Sequence, residues 1–161
     1  MTLPAGIHFR EATSADVPTI AQCRREDPAD GGVIDPRVEA YFEGRHHPQQ
    51  ALLARVGYIA LNNDVVVGYI AGHRTNRHGC SGEVQYLFVS PSWRRRGVAA
   101  ALLCLLAQWF VAQDARRVCV GVAADSPPQA LPFFERLKAL PIKSHWYGWE
   151  DIGIIIDLEV G

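Results

Sequence analysis

The apolar positions along the chain change period several times, and each change marks an element. Residues 7–10, Ile7-His8-Phe9-Arg10, read as a short strand. Thr13 followed three residues later by Asp16 has the form of a capping box and opens a helix through Ile20 and Cys23. After the Gly31-Gly32 break, Asp35-Pro36 supplies an N-cap and a first-turn proline. Val38, Tyr41 and Phe42 follow at helical spacing as far as Gly44. Residues 52–61 and 64–73 are rich in Val, Ile and Tyr and flank Asn62-Asn63-Asp64, which predicts an antiparallel hairpin.

Beyond the hairpin the pattern becomes more uniformly apolar. Residues 79–82 form a loop, 83–89 a strand stopped by Pro91, and 97 to 114 a helix apolar on nearly every side, hence deeply buried. Residues 117–122 are a further buried strand. Strand, helix and strand follow within the roughly 30 residues of a crossover unit, so the two strands are expected to run parallel, with a ligand at their carboxyl ends. A helix over 129–138, an aromatic strand over 145–149 and a last strand over 152–158 complete the chain, without internal repeats.

Composition bounds what such a chain can be. The 161 residues, 48% of them apolar, suit a single domain over 1–161. Sixteen basic against 17 acidic side chains leave a net charge of -1, which provides no general attraction for nucleic acid or an anionic membrane. The longest nearly uncharged run, 97–112, is shorter than the roughly 20 residues of a membrane helix, so no membrane span is expected. Four cysteines without a CxxC pair and an N-terminus without a signal core fit a reducing cytoplasm. His46-His47, His73 and His78 lack carboxylate or cysteine partners at ligand spacing, so no metal is expected. Cys104 and Cys119 fall in buried elements and read as small apolar side chains rather than nucleophiles.

The candidate chemistry begins at Arg94-Arg95-Arg96-Gly97-Val98-Ala99-Ala100, between an apolar strand and an apolar helix. A helix N-terminus carries unpaired N–H groups and about half a positive charge, so it attracts phosphate. Gly97, Ala99 and Ala100 keep bulk away from that turn, and the three arginines add charge-assisted donors. A pyrophosphate would suit it. The glycine-rich turns of other nucleotide folds, GxGxxG and GxxxxGK[ST], do not occur.

Arg94, Gly97 and Ala99 match the signature of the GNAT superfamily of N-acetyltransferases: Gln or Arg, two residues, Gly, one residue, then Gly or Ala. Leu87-Phe88-Val89-Ser90-Pro91 resembles the family's splayed fourth strand, and 10–20 resembles its opening strand and helix, so the likeness spans essentially the whole chain. The resemblance implies an α/β (α+β) fold: a mixed, mostly antiparallel twisted sheet of about seven strands, a splayed parallel β4/β5 pair and about four helices. It implies acetyl-CoA as co-substrate, with Leu87, Phe88 and Val89 pairing through their backbone with the pantetheine arm and Arg94 to Ala100 holding the pyrophosphate.

The acceptor implied is a small-molecule or peptide amine. A lysine-like amine with a pKa near 10.4 is uncharged in only about one molecule in 2,500 at pH 7, so a base is needed. By the resemblance Glu83 is the candidate general base, directly or through water, and the Val89 N–H the oxyanion donor. Period-two alternation groups Glu83, Gln85, Leu87 and Val89 on one face, which makes Gln85 an acceptor-positioning candidate. Tyr147, in the aromatic run 145–149, is another. One departure stands out: Phe134 occupies the place where many members have the tyrosine that protonates the CoA thiolate, and Pro127 stands where an asparagine is common. Tyr86 and Tyr147 are weaker substitutes, and water suffices for a thiol of pKa near 8.5. A non-catalytic acyl-CoA-binding module is the alternative that Phe134 favours. The apolar run 152–156 suggests a strand available for pairing in a homodimer.

Overall fold

In the computed structural model, which describes residues 5–25, 27 and 36–160, the two longest strands form a hairpin. β2 (Ala51–Asn62) and β3 (Val65–Thr75) turn through Asn63-Asp64, and Asn63 takes the left-handed conformation (φ 54°) that asparagine tolerates. β1 (Ile7–Glu11) lies antiparallel on the outer side of β2, and β4 (Gly82–Val89) antiparallel on β3. From β4 the chain crosses through α3 (Val98–Ala112) to β5 (Val118–Gly121), parallel to β4 as expected. β6 (Leu140–Lys143) and β7 (Trp146–Trp149) complete a seven-stranded sheet of order β1-β2-β3-β4-β5-β7-β6.

Helices cover both faces. α3 is apolar because most of its surface is buried, with Gln108 on the exposed side: Leu102, Leu103, Leu106, Ala107 and Phe110 are inaccessible to solvent and share a core with Ile70, Val84, Val118 and Val120. Gly82 makes room for it, since a Cβ there would lie 2.5 Å from a ring carbon of Phe110. On the opposite face α1 (Val17–Arg25) and α2 (Pro36–Phe42) set Ile20, Cys23 and Val38 against Ile59, Tyr69 and Phe88. α4 (Ala130–Arg136) precedes the β6–β7 hairpin, and α5 (Ile154–Val160) packs on α3. Among the described residues no helix is long and apolar enough to cross a membrane.

Three expectations change. Thr13 and Asp16 do form a capping box, with the Thr13 N–H donating to Asp16 Oδ2 at 2.7 Å, but it opens a 3-10 turn (Ser14–Asp16) ahead of α1. The expected last strand is α5. Asp151 accepts the Gly153 N–H and starts a helical turn, and Ile152 and Ile155 reach the core three residues apart, a helical spacing that a run of isoleucines hides. No edge strand is therefore present at 152–156 for a dimer to extend. The seventh strand is β6, whose first residue, Leu140, is 65% exposed. Gly31, Gly32 and the N-cap Asp35 lie outside the described residues.

Candidate active site

β4 and β5 are joined over only three pairs, Gly82–Val118, Glu83–Cys119 and Val84–Val120. β4 then runs on to Val89 along β3, leaving its other edge without a strand. The Ser90 N–H donates to the Val67 carbonyl at 2.8 Å, which fixes the alternation: Phe88 turns its peptide groups to β3, and Leu87 and Val89 turn theirs to the open edge. Of the three residues expected to meet pantetheine, only Leu87 and Val89 are thus oriented for it. The Val89 carbonyl already accepts from Arg94 Nε at 2.9 Å, so its N–H is the half left for a ligand.

The carboxyl end of that strand leads into the arginine-glycine turn. A 3-10 turn (Pro91–Trp93) precedes Arg95 at φ 62° and Gly97 at φ 85°, both left-handed, and α3 follows at once. Ala101 donates to the Gly97 carbonyl and begins the helical ladder, so the first-turn amides before it have no partner within the helix. The arginines divide the work. Arg94 turns inward as a brace, its Nη2 donating to Asp27 Oδ2 at 2.8 Å and its guanidinium lying 5.6 Å from the Phe88 ring. Arg95 and Arg96 are exposed, and Arg96 rests over Trp93.

Glu83 is placed by a β-bulge. Ala71 pairs with Tyr86 but Gly72 with Val84, so Gln85 is an extra residue and the alternation reverses there. Val84, Leu87 and Val89 face α3, whereas Tyr86 and Phe88 face α1 and α2. Glu83 lies on this second face, with His73 and Arg77, so the expected grouping of Glu83 with Leu87 and Val89 does not hold. Glu83 is 4% exposed, and its carboxylate accepts from Arg77 Nε at 3.0 Å through Oε1. His73 Nε2 stands 3.7 Å from the same oxygen, and His73 Nδ1 is 2.9 Å from the Tyr41 hydroxyl. Burial pushes the Tyr41 phenol well above its ordinary value, so it stays neutral. Oε2 takes no hydrogen bond among the described residues and is not one of the sealed, unpartnered polar atoms, which are His73 Nε2, His78 Nε2 and Gln85 Oε1.

Sequence reasoning weighed His73 only as a metal ligand, took Trp146 only as part of the aromatic run 145–149, and gave Tyr41 and Arg77 no part in the site. The available signal was a histidine near the carboxyl end of the apolar β3 run, where a buried polar side chain requires a partner. Trp146, not Tyr147, shares the Glu83 face: Arg77 stacks on its ring at 4.8 Å, whereas Tyr147 packs into the α3-side core. Cys119, opposite Glu83, is fully buried, and both the Cys80 hydrogen bond and burial raise its thiol pKa, which makes it a poor nucleophile. Phe134 is 5% exposed and packs on Trp149, so it presents no proton donor.

The structure thus defines a class of mixed α/β proteins whose parallel strand pair parts beside the N-terminus of an apolar crossover helix. The model of the acetyltransferase (GNAT) family matches residues 22–138, and the chain belongs to that family. Its fold is shared by an acetyltransferase from Thermus thermophilus (TM-score 0.67, 16% identity, 92% of this chain and 99% of that one). PaiA N-acetyltransferase from Thermoplasma acidophilum, solved with coenzyme A, aligns at TM-score 0.62 and 13% identity over 88% of this chain and 96% of its own. A GNAT family acetyltransferase from Brucella melitensis, solved with acetyl-CoA, aligns at 0.64 and 15% over 89% and 86%. No curated protein matches the chain significantly.

Proposed function

We propose that the protein transfers an acetyl group from acetyl-CoA to an amine by direct attack in a ternary complex. The observation that carries this is the joint presence of an unpaired β4 edge, a left-handed turn opening α3 and a buried carboxylate on the opposite sheet face. The first-turn amides of α3, with Arg95 and Arg96, hold the pyrophosphate, and the Val89 N–H meets the pantetheine arm.

The oxyanion donor is better assigned to Leu87 than to Val89. Val89 is six residues beyond Glu83, about 20 Å at strand rise, whereas Leu87 is four residues beyond it, about 13 Å, and so is the nearer of the two donors to the base. Leu87 points its N–H to the same open edge from nearer the bulge. In the step itself the amine nitrogen bonds to the acetyl carbon, the C–S bond breaks, and the amine proton passes through water to Glu83 Oε2. With Phe134 buried, the CoA thiolate leaves as such and takes its proton from water.

Acetyl-CoA is incubated with the protein and a mixed amine library, and free thiol release is followed. Turnover that falls about 100-fold or more in Glu83→Gln, with CoA binding retained, is expected of a general base. Full activity of Glu83→Gln across the pH range refutes that role. The apolar Phe134 favours a second reading, a non-catalytic acyl-CoA-binding module, for which CoA would bind without turnover of any amine.

A further inference from the structure

We propose that the open half of the Arg77–Glu83 pair receives an amino acid, that is, an amine bearing a free carboxylate close to its nitrogen; this rests on the transfer reading above. The pair is held rigidly. Arg77 Nε donates to Glu83 Oε1 at 3.0 Å, Nη2 donates to the Gln49 carbonyl at 2.6 Å, and the guanidinium lies over Trp146 at 4.8 Å. Two atoms are left over, Arg77 Nη1 and Glu83 Oε2. Neither has a hydrogen-bond partner among the described residues, and neither is sealed from solvent. A fixed cation and a fixed anion, each left with an unused end, match a zwitterion: its carboxylate takes the Nη1 hydrogens, and its amine faces Oε2 directly or through a water.

The position is right for an acceptor. Glu83 sits one residue before the last β4–β5 pair, and Trp146 covers Gly121 at the end of β5, so the receptor flanks the mouth of the gap between the strands. The rim adds positive potential. His78 stands edge-on to Trp146 at 4.9 Å, and burial, Lys143 and Arg77 all oppose its protonation. A diamine would bring a second cation against Arg77 and Lys143, whereas a carboxylate is drawn to them.

The test uses three matched sets with the wild-type protein and acetyl-CoA: the common amino acids, their amides, and the corresponding decarboxylated amines. The best amino acid is expected to exceed its amide and its amine in kcat/KM by about tenfold or more. In Arg77→Lys, which keeps a charge beside Glu83 but loses the fork, that ratio is expected to fall towards unity. An amide or simple amine that equals its amino acid overturns the proposal, as does an unchanged ratio in Arg77→Lys. If no compound releases thiol, the transfer reading falls separately. The receptor is then read by calorimetric titration of the CoA-bound protein, where an amide binding as tightly as its amino acid overturns it.

Discussion

Replacing Gly97 by alanine separates the cofactor turn from the rest of the fold. Gly97 sits at φ 85°, ψ 5°, and an L-residue held left-handed costs about 1–2 kcal/mol. That strain has two outlets. If the turn holds its shape, stability falls by the full amount, about 2–8 °C in Tm at 2–4 °C per kcal/mol for a chain of this size. If the turn relaxes instead, its amides swing off the pyrophosphate, and 1–2 kcal/mol appears as about a 5–30-fold rise in the Kd for CoA. Gly44 is the control: it has φ 78° at the end of α2, with nothing within 4 Å of where its Cβ would lie. Gly44→Ala is expected to lower Tm comparably and leave the CoA Kd alone. Thermal melts and calorimetric titration of both variants decide the matter. The reasoning is refuted if Gly97→Ala changes neither quantity, or if Gly44→Ala weakens CoA equally.

Tyr41→Phe leaves His73 Nδ1 buried without its partner and is expected to cost about 1–3 kcal/mol by chemical denaturation; no loss would show that the hydroxyl does not satisfy that nitrogen. Asp16 is held down to about 2 from 3.8, first by its hydrogen bonds from Arg10 at 2.7 and 2.9 Å and further by Thr13. Because its folded pKa is depressed, its contribution is complete above pH 4 and is lost as pH falls towards 2. The Tm gap between wild type and Asp16→Asn is therefore expected at pH 7 and should close across that window; a constant gap would sink the assignment. A Cβ at Gly148 would meet the Val118 carbonyl inside the β5–β7 ladder, so Gly148→Ala is expected to unfold or aggregate while Gly6→Ala, in open space, stays soluble on size-exclusion chromatography.

The elements legible in the sequence were those with a local cause. The β2–β3 hairpin, α3 and the parallel step to β5 follow from turn residues, a uniformly apolar run and connection length. The start of α3 was legible for the same reason, since a glycine between arginines and alanines marks the helix entry. What stayed hidden depends on partners distant in the chain. The bulge at Gln85 arises from how β4 registers on β3, and no residue type announces it. The inward use of Arg94 needs Asp27, and the buried surroundings of Glu83 bring in Arg77, His73 at the end of β3, and Tyr41, which bonds His73 from α2. The run 152–156 failed because consecutive isoleucines fit either period, and only the core decides between them.

An extra residue in a strand is a half-period phase shift, and at Gln85 it lets one strand serve two compartments. Before it, side chains matter: Glu83 addresses the face where an acceptor would enter. After it, the backbone matters: Leu87 and Val89 tuck their side chains under α3 and present peptide groups to the gap. The two halves are decoupled in composition, so Leu87 and Val89 are expected to accept exchange among apolar residues of similar volume, whereas Glu83→Gln is expected to lose turnover. Their spacing is not free. Removal of the single residue between them would restore unbroken alternation and throw one half onto the wrong side of the sheet, so for this strand length is a stricter constraint than identity.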